Sequence, residues 1–244
     1  MEHLVNLDSE KYEAFIRTLS VLKEPCNDIV IAAGIIRQRS NDAAAIFEID
    51  MTSLVGDSTF TISNIKGKID LLKIFSEQEV RIEVDDQSFS LSDQFSSLRI
   101  LHPDRNYLDN KFMEEPELNS LISVSEEDVL TTHSISPMIS ERMKIISSVF
   151  HVNSFQMLFE GEFASIRSKT MSKDQHANIT KDLILNEPLT GYSNLVTIPY
   201  VCDHDGDIIC KIYKLRDKCI CKYSMFIGNV PVTIYTRCEI KTEQ

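Results

Sequence analysis

The spacing of apolar residues near the start of the chain predicts a long amphipathic helix over Ser9–Leu22. Asp8 or Ser9 can cap the start of this helix, and Pro25 closes it. Apolar side chains at intervals of three and four residues form one face, namely Tyr12, Phe15, Ile16, Leu19 and Leu22. The opposite face carries Glu10, Glu13, Arg17 and Val21, with Lys11 at its border.

Short β-like runs between turn signals predict strands through the rest of the first half. These strands are predicted over residues 28–33, 35–39, 43–49 and 59–62. A second helix is predicted over residues 67–75, with Ile69, Leu72 and Phe75 on its apolar face.

A β-meander is predicted after this helix. Val80, Ile82 and Val84 alternate with polar residues, as expected for a strand with one buried face. Two further strands, around residues 89–91 and over residues 98–101, continue the meander after an acidic turn at residues 85–86.

The second half repeats this order of elements. A strand is predicted over residues 120–124 and a helix over residues 136–150, where Ser136 can cap the start and Pro137 suits the first turn. The later strands are predicted over residues 155–159, 163–168, 178–185, 208–215, 219–227 and 230–240. A long helix combined with several antiparallel strands in each half indicates a duplicated α+β domain.

The pattern breaks between residues 102 and 116, a stretch rich in Pro, Asp, Asn and Glu. Such composition is typical of a linker between domains. We therefore predict an N-terminal domain over residues 1–103, a connector over residues 104–117 and a C-terminal domain over residues 118–244.

Composition and charge narrow the class of protein. The chain has 244 residues, 43% of them hydrophobic, and a net charge of −12. This charge argues against nucleic-acid binding unless the 25 Lys and Arg residues are gathered on one surface. The N-terminus lacks the features of a secretory signal, and no apolar run approaches the roughly 18 residues of a membrane span. A cytoplasmic protein that does not enter a membrane is expected.

The cysteines leave two interpretations open. Five of the six lie in the last 43 residues, mostly in apolar stretches, which favours buried, reduced thiols. The alternative is a zinc site, with the candidate ligands Cys202, His204, Cys210, Cys219 and Cys221. Their spacing does not fit the paired motif of a zinc knuckle. No phosphate-binding loop, nucleophile elbow or metalloprotease motif occurs, so no catalytic residue, metal or cofactor is predicted.

Residues 59–103 resemble the core of the first domain of DNA sliding clamps, closest to the T-even phage polymerase clamps and more distantly to proliferating cell nuclear antigen. The residues on which this resemblance rests are Leu71-Leu72, Ile74-Phe75, the strand at residues 80–84, Asp85-Asp86, Ser92-Asp93 and residues 98–101. Asn229-Val230-Pro231-Val232 before an alternating strand is also similar to clamps. The resemblance is good over about residues 9–103 and looser over residues 118–241. Clamps have a second helix in the second domain, and the matching residues 193–201 contain Pro199 and many β-formers.

The resemblance implies an α+β DNA-clamp fold without enzymatic activity. Clamps form rings of six domains around duplex DNA, with helices lining the hole and sheets forming the outer wall. Sequence-independent phosphate contacts would then come from cations on the helices. The candidates are Lys11, Arg17, Lys66, Lys68, Lys73, Arg142 and Lys144. The alternative is that these are ordinary solvated helix charges.

The resemblance also implies a pocket that binds partner peptides beside the connector. The connector offers Tyr107, Leu108, Phe112 and Met113, and family pocket positions correspond to Ala44, Ile46, Val230 and Pro231. An exposed apolar patch of this kind binds short peptides through a few anchors. Phe112 and Met113 can equally pack down to hold the linker.

The expected partners are duplex DNA, a replicative DNA polymerase, an ATP-driven clamp loader and two further copies of the chain in a homotrimer of phage or viral origin. One rival hypothesis is a monomeric DNA-binding polymerase subunit of the same fold, of the herpesvirus kind. The others are a viral structural or assembly protein of antiparallel sheet and a zinc enzyme.

Overall fold

The computed structural model describes residues 3–75, 79–103, 112–122, 124–150, 154–168, 178–197, 204–215 and 218–239. The chain divides into two compact units. The N-terminal unit comprises Met1–Leu121 and Phe226–Val232, and the C-terminal unit comprises Ile122–Met225 and Thr233–Gln244. Among the described residues, no helix combines the length and apolarity needed to cross a membrane.

The N-terminal unit opens with β1 (His3–Leu7) and α1 (Ser9–Leu22). The predicted helix is confirmed, and the Asp8 carboxylate accepts a hydrogen bond from the Lys11 backbone N–H at 2.8 Å. The placement of Val21 on the polar face is wrong, because its side chain is only 1% exposed. A second side of α1, formed by Ala14, Thr18 and Val21, is buried as well.

Four further strands and a short helix follow. They are β2 (Ile29–Ile31), β3 (Ile35–Arg39), β4 (Ala45–Asp50), α2 (Thr52–Val55) and β5 (Phe60–Ile62). Strands β2 and β5 pair with each other, and β3 and β4 form an antiparallel pair in which Arg37 faces Glu48. The four strands agree with those predicted to within about two residues, as expected for element ends. The short helix α2 was not predicted.

The second helix, α3 (Ile65–Leu72), starts two residues before its predicted start and continues into a 3-10 turn, Lys73–Phe75. The Asn64 side chain accepts a hydrogen bond from the Gly67 backbone N–H and caps the start. Leu72 and Phe75 are buried as predicted. The Tyr12 hydroxyl donates to the Leu72 carbonyl at 2.7 Å, which ties α1 to α3.

The predicted meander is confirmed as β6 (Val80–Val84), β7 (Ser88–Ser92) and β8 (Ser97–Leu101). Strand β1, which the sequence pattern did not reveal, adds to β6, so the sheet order is β1-β6-β7-β8. The ring centroids of Phe60 and Phe89 lie 4.6 Å apart in the buried core. At the β6–β7 turn, backbone N–H groups of Gln87 and Ser88 donate to the Asp85 carboxylate and lower its pKa.

The predicted strand over residues 120–124 is wrong. Residues Glu115–Leu121 form a helix, α4, whose first turn contains Glu115 and Glu117 and whose Leu118 is buried. Acidic residues in the first turn and Pro116 near the start both favour a helix. The first strand of the second half is instead β9 (Val129–Ile135), which follows a capped 3-10 turn, Glu126–Asp128.

The C-terminal unit continues with α5 (Pro137–Phe150), which confirms the predicted helix. Its strands are β10 (Ser154–Ser168), β11 (Asn178–Thr197), β12 (Asp205–Leu215), β13 (Lys218–Ile227) and β14 (Val230–Glu239). Residues 155–168 form one strand rather than the predicted two, although Gly161 has φ +68. β10 pairs with β11 and β9 pairs with β12, both antiparallel. Residues 193–197 are strand, and residues 198–201 lie outside the described part.

Candidate nucleic-acid interface and connector cleft

The candidate cations of the N-terminal unit sit at the surface of α1 and α3, each close to a polar partner. Lys66 Nζ lies 2.8 Å from Glu24, Lys73 Nζ lies 3.5 Å from Asp70, and Lys11 Nζ lies 3.9 Å from Asp8. These three lysine side chains are at least half exposed. Ion pairs at such exposed sites are worth only about 0–1 kcal/mol, so a phosphate can replace the carboxylate at little cost.

Lys68 differs from the other candidates. Its Nζ donates to the Ser63 hydroxyl at 2.9 Å, and partial burial lowers its pKa, with the nearby Asp28 carboxylate acting in the opposite direction. Arg17 is half-buried on α1, on the side of the helix that also exposes Glu10 and Glu13. Lys68 and Arg17 are therefore less accessible than the three exposed lysines.

In the C-terminal unit, the candidates Arg142 and Lys144 are exposed on α5, next to the exposed Glu141. Helices α1 and α5, together with α3 and its 3-10 turn, carry seven Lys and Arg residues and four acidic residues. The whole chain carries 25 Lys and Arg residues against 37 acidic ones. These helices therefore carry a net positive charge, whereas the whole protein carries a net negative charge.

The same helices expose apolar side chains whose exposure the sequence analysis did not predict. Leu71 is 46% exposed and Ile74 is 65% exposed at the end of α3, and Ile145 and Val149 are 54% and 63% exposed on α5. Leu101 is 67% exposed on β8, the edge strand of the four-stranded sheet. An unpaired strand edge beside exposed apolar side chains is a ready site for association with another chain.

The end of the connector is anchored to the edge of β3. The Met113 backbone N–H donates to the Arg37 carbonyl at 2.7 Å, and the Met113 side chain is only 4% exposed. Phe112 is half-buried, and the candidate residues Tyr107 and Leu108 lie outside the described residues. Packing of the linker, one of the two roles considered for Met113, is therefore observed.

A cleft of about 330 Å³ lies beside this anchor, within the N-terminal unit. It is lined by Asp28, Gln38, Arg39, Ser40, Asn41, Met113 and Glu117. The Glu117 carboxylate closes one side, with an oxygen 4.0 Å from the Arg39 guanidinium. The cleft is mainly polar, whereas an apolar pocket was expected, and Met113 is the predicted pocket residue that lines it.

The remaining predicted pocket residues are spread over neighbouring strands. Ile46 is half-buried on β4, directly opposite Arg39, and Ala44 is exposed just before β4. Val230 is fully buried, whereas Pro231 is exposed. The sequence analysis did not identify Phe226, which is 55% exposed just before the β13–β14 turn. An aromatic residue in an alternating strand gives no sign of which face it occupies.

Three of the C-terminal cysteines are buried. Cys210, Cys219 and Cys221 are 0% exposed, and none of them forms a disulfide with another described residue. The His204 ring contacts the Ser140 hydroxyl at 2.7 Å and the Gly206 carbonyl at 2.8 Å. Within the described ranges no group of three or more His, Cys, Asp or Glu side chains is placed to hold a metal ion, and Cys202 lies outside them.

Comparison with solved structures identifies the fold. The chain is similar to the PCNA of Entamoeba histolytica, with a TM-score of 0.65 at 10% identity over 97% of this chain and 98% of that one. It is also similar to the A. fulgidus PCNA bound to the C-terminal region of FEN-1, with a TM-score of 0.63 at 12% identity over the whole of both chains. For the Sulfolobus tokodaii PCNA2-PCNA3 complex, the TM-score is 0.64 at 12% identity, covering 96% and 98%.

No protein-family model and no curated protein matches the sequence. The likeness to the three solved structures extends over nearly the full length of each chain. The chain therefore has the α+β fold of the DNA clamps, as the sequence analysis predicted.

Proposed function

We propose that the chain is a DNA sliding clamp, a non-enzymatic ring that encircles duplex DNA and tethers a replicative DNA polymerase. The observation that carries this proposal is the clamp fold over nearly the full chain, together with helices that are positive within a protein of net charge −12. A protein whose only task is to hold another protein on DNA needs no cofactor or catalytic residue.

Sequence-independent contact with the DNA backbone explains the charge distribution. Lys11, Lys66, Lys73, Arg142 and Lys144 are exposed and can approach phosphates, and Lys68 and Arg17 stand beside them on the same helices. Phosphate contacts carry no sequence information, which a sliding protein requires. The acidic remainder of the surface, including Glu126–Asp128, disfavours DNA on the outside of the ring.

We propose a homotrimer, since three two-domain subunits supply the six domains of a clamp ring. Head-to-tail contacts that close on themselves produce rings. In such a ring the exposed Leu71 and Ile74 at the end of α3 would meet the exposed Ile145 and Val149 on α5 of the next subunit, and the edge strand β8 would be available to pair with it. Burying apolar groups contributes roughly 25 cal/mol per Å², so these side chains would supply much of the association energy.

The proposed partners are a polymerase and an ATP-driven clamp loader, which would dock beside the connector at Ala44, Ile46, Met113 and Pro231. The resemblance of residues 59–103 to T-even phage clamps supports a phage or viral source and action in the host cytoplasm. The connector and the pocket positions of the clamp family support assignment of the other predicted pocket residues, Tyr107, Leu108, Phe112 and Val230, to this region.

Analytical ultracentrifugation over a dilution series, combined with extension of long primed templates, tests the proposal. We expect a species near three times 27.9 kDa that dissociates only on dilution, and longer products from the polymerase of the same genome. A strict monomer that still binds DNA would support the rival monomeric polymerase subunit. Failure to stimulate the polymerase at trimer-forming concentrations would contradict the clamp function and favour a structural or assembly role.

A further inference from the structure

Strands β12 and β13 carry a local positive charge away from the helices that are the candidate DNA interface. Residues 210–222 include five Lys and Arg residues and one acidic residue, in a chain whose net charge is −12. Lys211 on β12 and Lys222 on β13 lie on neighbouring strands of the six-stranded sheet. The residues on either side of each lysine are buried. Because side chains alternate along a strand, both lysines lie on the face of the sheet opposite the core.

A carboxylate of the same chain occupies this positive site. The Lys211 ammonium donates to Glu126 Oε2 at 2.7 Å, and the Tyr213 hydroxyl donates to Glu126 Oε1 at 3.2 Å. The hydrogen bond from Lys211 lowers the pKa of Glu126, and the Tyr213 hydroxyl and the Lys222 charge act in the same direction. The Lys222 ammonium lies 5.8 Å from the Tyr235 ring centroid, within the range of a cation–π contact. We call Lys211, Tyr213, Lys222 and Tyr235 the sheet cation site.

The donors of the sheet cation site are held in place before any ligand arrives. Tyr213 is only 2% exposed, so packing fixes its ring. Burial and the Glu126 carboxylate raise the pKa of Tyr213 to about 12, and its hydroxyl therefore remains a hydrogen-bond donor at neutral pH. The Lys211 side chain is 31% exposed. Donors that are already ordered lose less conformational freedom when they bind a ligand.

Glu126 can leave the site without unfolding its own turn. Its side chain is 71% exposed. The 3-10 turn is held by a capping box, in which the Ser125 backbone N–H donates to the Asp128 carboxylate at 3.1 Å and the Glu127 N–H donates to the Ser125 hydroxyl at 3.2 Å. An ion pair at an exposed site contributes little to stability, so a second carboxylate can replace that of Glu126.

An exposed apolar side chain lies next to the sheet cation site. Ile209 is 39% exposed and precedes Lys211 by two residues on β12. Residues two apart on a strand share a face and lie about 7 Å from each other. An extended partner segment presents its own side chains with the same spacing. An acidic residue and an apolar residue two positions apart would therefore match Lys211 and Ile209.

We propose that the sheet cation site binds an extended acidic segment of a partner protein, in which one carboxylate displaces Glu126 and an apolar residue two positions away packs on Ile209. Glu126 is then an internal competitor that fills the site when the partner is absent. A protein carboxylate is favoured over nucleic acid because the donors meet at one carboxylate, whereas the exposed Glu127 next to them repels a row of phosphates. This inference goes beyond the clamp function and does not need the ring, since the whole site belongs to the C-terminal unit.

The probe is a fluorescein-labelled peptide of three Leu-Ser-Glu-Gly repeats, which places every Leu and Glu on one face of an extended chain. Its binding to the full-length protein is measured by anisotropy at low ionic strength, because salt screens exposed charges. We expect saturable binding that is lost when Gln replaces each Glu of the peptide. No binding, or equal binding of the Gln peptide, would overturn the inference.

Variants of the chain locate the binding surface. Lys211→Gln combined with Lys222→Gln should weaken binding about tenfold or more, because two charge pairs are lost. Glu126→Gln should strengthen binding up to about fivefold, because the internal competitor loses its charge. Far-ultraviolet circular dichroism checks that each variant is folded. Unchanged or weaker binding by a folded Glu126→Gln variant would contradict the displacement step.

Arg81→Gln combined with Arg99→Gln is the matched control. Both guanidinium groups are exposed on the four-stranded sheet, and each lies near a carboxylate, Arg81 at 2.6 Å from Glu83 and Arg99 at 3.5 Å from Asp85. This variant loses the same charge as the double lysine variant and should bind the peptide normally. An equal loss of binding in both variants would mean that only net charge matters, against the proposed site.

A fluorescein-labelled oligothymidylate of twelve nucleotides tests the nucleic-acid alternative. We expect the double lysine variant to bind it as the unaltered chain does. Weaker oligonucleotide binding by this variant, together with unchanged peptide binding, would assign the site to nucleic acid and overturn the inference. Trimer formation and polymerase stimulation are measured separately. A working clamp that ignores the peptide contradicts this inference alone, and a monomer that binds the peptide contradicts the clamp function alone.

Discussion

Replacing Gly228 with alanine tests how closely the β13–β14 hairpin packs against α1 in the N-terminal unit. The residue has φ +57, in the left-handed region, and a Cβ added to it would lie 2.9 Å from the Cβ of Ala14 on α1. Carbon atoms at optimal separation are about 3.5–4.0 Å apart. Gly228→Ala therefore combines backbone strain with a steric clash against a helix that cannot easily move, since Ala14 is only 7% exposed.

The two contributions can be estimated separately. An alanine held at positive φ costs about 1 kcal/mol relative to glycine. Forcing an extra methyl group into a packed contact typically costs about 1–3 kcal/mol. We expect Gly228→Ala to lower the free energy of unfolding by about 2–4 kcal/mol, which is a large part of the roughly 5–15 kcal/mol of a typical protein.

Gly206→Ala isolates the backbone contribution. Gly206 has φ +72, and an added Cβ would meet no atom within 4 Å, so this variant should lose only about 1 kcal/mol. In a background that carries Ala14→Gly, the clash at Gly228 disappears. There Gly228→Ala should also cost about 1 kcal/mol beyond the cost of the helix glycine itself.

Urea titration followed by far-ultraviolet circular dichroism gives the free-energy differences. Native-state hydrogen exchange of the α1 amides shows whether the loss is centred on this helix. The reasoning would be refuted if Gly228→Ala and Gly206→Ala cost the same, or if Ala14→Gly did not reduce the cost of Gly228→Ala.

Three further predictions concern the proposed function and the second unit. Lys73→Glu combined with Lys144→Glu should leave the circular dichroism unchanged but shorten extension products and lower the salt dependence of DNA binding, because each lost phosphate contact reduces the slope by about 1. Ile74→Lys should convert the trimer to monomers in ultracentrifugation and leave the far-ultraviolet circular dichroism of the subunit unchanged, since Ile74 is 65% exposed in the subunit. Burial lowers the pKa of His133 below its ordinary 6.5, so the unfolded chain takes up a proton first and stability should fall as the pH drops below about 6.5. Melting temperatures across this range should show a weaker pH dependence for His133→Gln, and an unchanged one would contradict the burial argument.

Local patterns in the sequence were sufficient for the regular elements with strong periodicity. The helix α1 has a capping Asp8 and an apolar stripe, and α5 has Pro137 at its first position. In the β6–β8 meander, apolar and polar residues alternate around the acidic turn at Asp85. These signals depend on neighbours within about four residues, so they can be read without the tertiary structure. The α+β class followed from them.

Elements whose burial depends on distant partners were missed. Strand β9 contains Thr131 and His133, which sequence reasoning does not place in a core. Both side chains are hydrogen-bonded in the core: they contact each other at 2.9 Å, and the Thr131 hydroxyl donates to the Ile184 carbonyl at 3.2 Å. A buried polar group is tolerated when it is hydrogen-bonded, and a partner 53 residues away is not visible in a local pattern.

By itself, the sequence determined that the segments of α1, α3 and α5 form helices and that these helices carry more Lys and Arg than Asp and Glu. Only the tertiary structure decided that Lys66 faces Glu24, that Met113 anchors the connector at Arg37, and that Glu117 shares a cleft with Arg39. Each contact joins residues far apart in the chain, and its formation depends on the packing of whole elements. Local propensity specifies the elements, whereas long-range packing sets which surfaces they share.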